Sequence, residues 1–209
     1  MTGATLTDRL FDDADGAPLD PFDLFEEWLA AAREGEPNDP TAMALATVDA
    51  EGTPDVRMVL LNARDRRGFC FFTNLGSAKG RELAANPRAA VLFHWKSLRR
   101  QIRIRGPVKQ VPDSEADAYF ATRARQSQLG AHVSRQSRPL PSRAELVGAV
   151  ERLDHELGTA PVQRPAHWSG FRLIPASFEF WKDGAFRLHD RVTFTRADGD
   201  TWTRQRLYP

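Results

Sequence analysis

Residues 42–73 read AMALATVDAEGTPDVRMVLLNARDRRGFCFFT, and three strands are legible in them. Ala42 to Val48 is an apolar run. Asp49-Ala50-Glu51-Gly52 is a turn, Val56 to Ala63 a second strand, and Asp65 to Gly68 a second turn. Phe69 to Thr73 is a third strand, rich in aromatics. Three short strands joined by tight polar turns belong to an antiparallel β architecture.

The same reading extends in both directions. Upstream, Asp20-Pro21 reads as an N-cap followed by proline at the first helical position. Phe22, Phe25, Trp28, Leu29 and Ala32 then recur at helical spacing until Gly35 stops the run. Residues 1–19 are expected to form a mobile N-terminal arm, and 20–209 a single domain. Downstream, Ser77 caps a short helix that ends near Asn86-Pro87. Ala89 to Trp95 and Gln101 to Val111 read as strands. In the latter Ile102 and Ile104 face one way, and Gln101, Arg103 and Arg105 the other. Ser114 to Thr122 reads as a helix. Ser142 with Glu145 forms a capping box for another, with Leu146, Val150, Leu153 and Leu157 on one face. Phe171 to Trp181, Ala185 to Phe194 and Thr201 to Leu207 close the chain as strands. The expected fold is mainly β with α: a closed or split β-barrel with peripheral helices.

A chain of 209 residues suits one domain. No apolar run approaches the ~20 residues that span a bilayer. The first residues lack the apolar stretch of a signal peptide, and the only cysteine, Cys70, makes no intrachain disulfide. The expectation is a cytoplasmic protein with no membrane partner. The net charge of +1 hides an asymmetry. Residues 1–56 hold 2 basic and 14 acidic side chains, and residues 57–138 hold 17 and 5. The middle segment therefore favours anions, either phosphate-bearing small molecules or nucleic acid. Mutual neutralisation of the two segments within the fold accounts for part of the pattern.

Several short stretches bear chemical groups. Arg57 shares a strand face with Val59 and Leu61. A guanidinium there needs a partner, and two readings stand: a bound phosphate, or solvent at the mouth of the strand. Thr73 to Gly80 runs from a strand end through a glycine turn into a helix start, where free N–H groups collect. Ser77 and Lys79 add donors there, or only cap and solvate. Arg187, His189 and Arg191 are expected on the same face of a strand, which sets two guanidiniums and an imidazole in a row just after Trp181. Such a row suits an anionic, ring-bearing ligand, or else a charged edge strand. Tyr119, Arg123 and Ser127 are spaced by four, so continuous helical turns would bring them to one phosphate-holding face. Ser134 to Arg138 is a polar cluster at a helix end. The other four histidines show no metal spacing, and no metal is expected. Cys70, in an apolar strand, reads as core rather than nucleophile.

Taken together, DPTAMALATVD, RMVLL, FFTNLGSAKGREL, NPRAAVLFHW, RQIRIRG, SQLGAHVSRQS, FEFW, RLHDR and the terminal RQRLYP resemble the pyridoxamine/pyridoxine 5′-phosphate oxidases, in family order over roughly residues 20–209. The resemblance implies an FMN-binding split barrel, a homodimer with FMN at the subunit interface and both subunits contributing to each site. By matching position, Arg57 and Lys79 would hold the FMN phosphate. Met58, Val59, Leu60 and Leu61, with Phe72 and Thr73, would run beside the flavin, and Gln101, Gln136, Ser137, Trp181 and Arg191 would complete the cofactor site. Tyr119, Arg123 and Ser127 would bind the substrate phosphate. Arg187 and His189, the implied catalytic pair, would lie against the pyridine ring. The implied reaction oxidises pyridoxamine or pyridoxine 5′-phosphate to pyridoxal 5′-phosphate with O2 as acceptor, giving H2O2. Asn62 stands where the family has a lysine for the substrate phosphate, and Ala78 where an arginine helps hold the FMN phosphate. The acidic arm lacks the arginine and tyrosine that usually close over the substrate. The alternatives are a related FMN oxidase for another aromatic substrate, as in phenazine biosynthesis, and a non-enzymatic flavin or nucleic-acid binder.

Overall fold

The computed structural model describes residues 5–12 and 18–209. Its ten strands are β1 (Ala42–Val48), β2 (Pro54–Leu60), β3 (Ala63–Asp65), β4 (Gly68–Asn74), β5 (Arg88–Trp95), β6 (Arg100–Gln110), β7 (Trp168–Leu173), β8 (Ser177–Lys182), β9 (Asp190–Arg196) and β10 (Trp202–Leu207). Six helices accompany them: α1 (Leu6–Phe11), α2 (Pro21–Gly35), α3 (Ala78–Ala85), α4 (Asp113–Ala121), α5 (Arg125–Val133) and α6 (Arg143–Leu157). None is long and apolar enough to cross a membrane among the described residues.

Antiparallel pairing runs in the order β10-β9-β8-β6-β5-β1-β2, and β3, β4 and β7 complete the sheet. The long strand β6 joins its two parts. Its first half, Arg100 to Arg105, pairs with β8, and its second half, Val108 to Gln110, pairs with β7. Between them, a Cβ on Gly106 would lie 1.9 Å from the Ile174 carbonyl oxygen. Only glycine admits so close a crossing, and here the sheet turns into a split barrel.

The core follows from strand alternation. Met43 and Leu45, Phe93 and Trp95, Ile102 and Ile104, Phe178 and Phe180, and Val192 and Phe194 all point inward and are buried. Helix α2 covers them with Phe25, Trp28, Leu29 and Ala32. Phe25 meets Phe69 at 4.7 Å and Phe93 at 5.1 Å, and Trp28 meets Phe180 edge-on at 5.2 Å. Asp20 caps α2 by accepting from Phe22 N at 2.7 Å, with Pro21 at the first helical position. A second core, of Phe120, Leu129, Val162 and Trp168, lies under α4, α5 and α6.

Four expectations need correction. The second strand ends at Leu60, and Ala63–Asp65 pairs separately with β4. The expected strand from Phe171 to Trp181 is two strands. Pro175 has no N–H for a ladder, and the chain steps between partners on β6 through Ile174 N to Pro107 O and Ala176 N to Arg105 O. The expected strand from Ala185 starts only at Asp190, because Ala185–Arg187 is a 3-10 turn with Phe186 and Arg187 at φ 56° and 65°. The Tyr119–Ser127 stretch is two helices broken at Thr122–Ala124, not one. Sequence reading also placed no element within residues 1–19, yet α1 forms there with a Thr5–Asp8 capping box. Residues 1–4 and 13–17 of that arm lie outside the described residues.

Candidate functional site

The edge strand β2 presents two faces. Arg57 and Val59 pair with Leu45 and Met43, so they point toward the core side, as expected. Val56, Met58 and Leu60 point outward and are 63%, 64% and 46% exposed. Arg57 meets neither expected partner first. Its guanidinium pairs with Glu82 at 2.9 Å and Asp55 at 2.6 Å, and donates to Thr47 Oγ1 and Leu45 O.

Beside it, the turn after β4 opens into α3 with Ser77 accepting from Gly80 N. Lys79 sits on the first turn of α3. Its Nζ lies 3.1 Å from Gln136 Oε1 and 3.4 Å from Thr73 Oγ1, both uncharged partners. Burial, and then the Arg57 charge, hold its pKa below the ordinary lysine value. An anion bound there would favour the charged lysine and oppose both effects.

Lys79 lies at one end of a cavity of about 590 Å³. Met58, Val59 and Leu60 form one wall, Phe72 and Thr73 the floor, and Tyr119, Arg123, Ser127 and Gln136 the far side. The helix break did not scatter Tyr119, Arg123 and Ser127; the turn between α4 and α5 brings all three to the one cavity. Phe72 stacks on Tyr119 at 4.1 Å and on Trp168 at 5.3 Å. The Arg123 guanidinium lies over Trp168 at 4.8 Å, and its Nη1 is buried with no hydrogen-bond partner among the described residues. Burial lowers its pKa. A buried cation with an unused donor is costly unless an anion meets it. Asn62 lines the same cavity and donates from Nδ2 to the Tyr119 hydroxyl oxygen at 2.5 Å, which leaves the tyrosine proton free to donate. Trp168 and Asn74, which accompany these groups, had no signal in the sequence beyond an aromatic and a turn residue.

The remaining expected residues lie elsewhere in the chain. Leu61 is buried in the core. Ser137, at φ 67°, borders a separate cavity beside α6. Gln101, Trp181 and Arg191 form a cross-strand row over β6, β8 and β9, on the face opposite Ile102 and Phe180. Arg191 pairs with Glu179 at 2.8 Å and donates to Tyr208 O at 3.0 Å. His189 tilts against Trp181 at 4.7 Å. The expected row of Arg187, His189 and Arg191 on one strand face is not formed, since Arg187 is exposed in the 3-10 turn. Four strands separate β9 from β2. The chain therefore keeps two groups of expected residues apart: the cavity beside β2, and the row of Gln101, Trp181 and Arg191 over β6, β8 and β9.

Residues 29–156 match the family model described as pyridoxamine 5′-phosphate oxidase, and residues 168–209 match the pyridoxine 5′-phosphate oxidase C-terminal dimerisation region. A pyridoxine/pyridoxamine 5′-phosphate oxidase of Nitrobacter winogradskyi is 61% identical over 191 residues, covering 91% of this chain and 90% of that protein. One from Caulobacter vibrioides is 60% identical over 190 residues, covering 91% and 85%. Among solved structures, PhzG from Burkholderia lata, in complex with tetrahydrophenazine-1-carboxylic acid, is 33% identical with a TM-score of 0.85 over 95% of this chain and 100% of that one. An FMN-binding protein from Nostoc punctiforme, 17% identical with a TM-score of 0.76 over 92% of this chain and 100% of that one, shares the fold.

Proposed function

The chain belongs to the pyridoxamine 5′-phosphate oxidase family, and on that premise we propose how its residues divide the work. It is an FMN-dependent oxidoreductase that forms pyridoxal 5′-phosphate from pyridoxine or pyridoxamine 5′-phosphate, and it acts as a homodimer. Bound FMN would supply the two-electron redox chemistry, with O2 as final acceptor and H2O2 as its product.

The residues present fit that cofactor. Lys79 is a half-buried cation whose hydrogen-bond partners are uncharged, set at a helix start beside Arg57. Both would hold the phosphate, with Glu82 and Asp55 keeping Arg57 extended until then. Met58 to Leu60, Phe72, Thr73 and Gln136 would flank the ring. Gln101, Trp181 and Arg191 would reach it from the partner, because they lie on the outer face of the same sheet that exposes Val56, Met58 and Leu60. Two such faces brought together would make the cavity of one chain and the row of its partner two halves of one interfacial site, and would cover apolar surface that a lone chain leaves in water.

The observation that carries the substrate reading is Arg123. Its buried, unpaired Nη1, the Tyr119 proton and the Ser127 hydroxyl converge on one cavity and suit a phosphate monoester. Arg187 and His189 would orient the pyridine ring and handle its proton. The test is turnover by the yellow, FMN-loaded dimer with pyridoxamine 5′-phosphate, followed by pyridoxal phosphate absorbance. Sustained turnover is expected; none with FMN fully bound would defeat the reading.

A further inference from the structure

Asn62 is held at its backbone and at both ends of its amide. Its backbone N–H donates to Cys70 O at 2.9 Å. Its side-chain Oδ1 accepts from Phe72 N at 3.3 Å, and its Nδ2 donates to the Tyr119 hydroxyl oxygen at 2.5 Å. The two ends of the amide cannot be exchanged. A backbone N–H only donates, so the atom facing Phe72 is the carbonyl oxygen, and the NH2 group faces the phenol.

Tyr119 is equally constrained. Its ring stacks on Phe72 with centroids 4.1 Å and planes 14° apart, which fixes where its oxygen sits. Only the O–H bond can still turn. One direction is closed, because Asn62 offers a hydrogen there rather than a lone pair. The phenol oxygen accepts on that side and donates on another, and it makes no other hydrogen bond among the described residues. The cavity it lines also holds Ser127 and Arg123, whose buried Nη1 has no partner among the described residues.

We infer that Asn62 is a positioning residue that acts through Tyr119. It turns the phenol proton into the cavity and so fixes one of the donors that select a phosphate monoester. A lysine at this position would bring a charge; the asparagine brings a direction instead. The phosphate is met by one guanidinium and two hydroxyls, with the phenol proton set before the ligand arrives. In the sequence Asn62 counted only as a missing cation, because its two side-chain partners are 10 and 57 residues away.

The inference rests on the substrate phosphate entering this cavity, and a double-substitution cycle separates the two claims. Kd for pyridoxal 5′-phosphate is measured by titrating FMN-loaded dimers and following the flavin absorbance, beside KM and kcat for pyridoxine 5′-phosphate. Tyr119→Phe is expected to weaken binding about tenfold. Unchanged affinity would overturn the premise, and the role of Asn62 with it. Given a Tyr119 effect, Asn62→Ala should raise Kd and KM about five- to tenfold, with kcat changed less than about twofold. In the Tyr119→Phe background the same substitution should cost less than about twofold, since no hydroxyl is left to turn. Equal losses in both backgrounds would mean that Asn62 meets the ligand by itself, and no loss in either that the phenol proton needs no guide; each result overturns the inference. Asn62→Asp is the second variant. It keeps the shape and the Phe72 bond but only accepts, so it draws the phenol proton out of the cavity. Kd should then rise more than about tenfold, and adding Tyr119→Phe should cost less than about twofold more. Should Asn62→Ala fail to hold FMN, this pair decides: wild-type affinity in Asn62→Asp, or a Tyr119→Phe cost as large there as in the wild type, overturns the inference.

Discussion

Arg123 shows how a single side chain can be costly to the fold and useful to the site. It lies over Trp168 with one nitrogen buried and unpaired, a situation that costs stability until an anion arrives. Arg123→Ala should therefore raise KM for pyridoxine phosphate by roughly 10- to 100-fold, with the flavin spectrum unchanged. Steady-state kinetics on the yellow dimer will check this. Cys70 makes the opposite case. Burial pushes its thiol up to about 11 from an ordinary 9.0, so it stays protonated and inert. The native state then keeps a proton that the unfolded chain loses as pH rises from 9 toward 11, so the thiol's contribution to stability falls through that window. Urea midpoints should fall more steeply over this range in the wild type than in Cys70→Ala. The sequence alone placed Cys70 in the core, because strand alternation and apolar neighbours are local. It could not find the Glu82 partner of Arg57, which is 25 residues away.

Among the elements, α1 has a local capping box, and its remaining support comes from distant groups. Glu27 of α2 accepts from Leu6 N and Thr7 N at 2.9 Å each, and Trp28 Nε1 donates to Thr7 Oγ1 at 2.8 Å. Arg204 and Arg206 of β10 donate to Leu10 O and Phe11 O. Both ends of a six-residue helix are thus satisfied from outside, and so short a helix would not persist alone. Glu27→Ala should cost about 1–3 kcal/mol of stability and speed hydrogen exchange over residues 6–11. Denaturant titration and exchange mass spectrometry will measure both, and an α1 that exchanges as slowly as wild type would refute the capping role. The helix α2 was legible because its cap, its proline and its apolar stripe are all local. The strands after Leu173 were harder to delimit. Where β7 ends and β8 begins is set by which stretch of β6 each pairs with, and alternation does not encode that.

For the whole molecule, the proposed dimer uses the outer sheet face as its interface. Val56, Met58 and Leu60 stay largely exposed on an edge strand, while the matching region at the other end of the sheet belongs to a dimerisation family. A carboxylate placed in that apolar stripe would be buried in the interface without a partner. Met58→Asp should yield a monomer with native far-UV circular dichroism and no retained flavin, as judged by light scattering and absorbance. A dimer that keeps its flavin would show that this face does not assemble the site.

By itself the sequence determined the core alternation, the caps of α2, α3 and α6, and a list of cations and aromatics belonging to one family, because each of these depends on neighbours within a few residues. Only the tertiary structure decided that Tyr119, Arg123 and Ser127 meet across a helix break, that Arg187 leaves the row expected for it, that Asp183 turns back on His189, and that the cavity beside β2 and the row reaching β9 lie four strands apart. Those facts depend on where distant strands pair and on what the bend at Gly106 brings together, and no local periodicity records them.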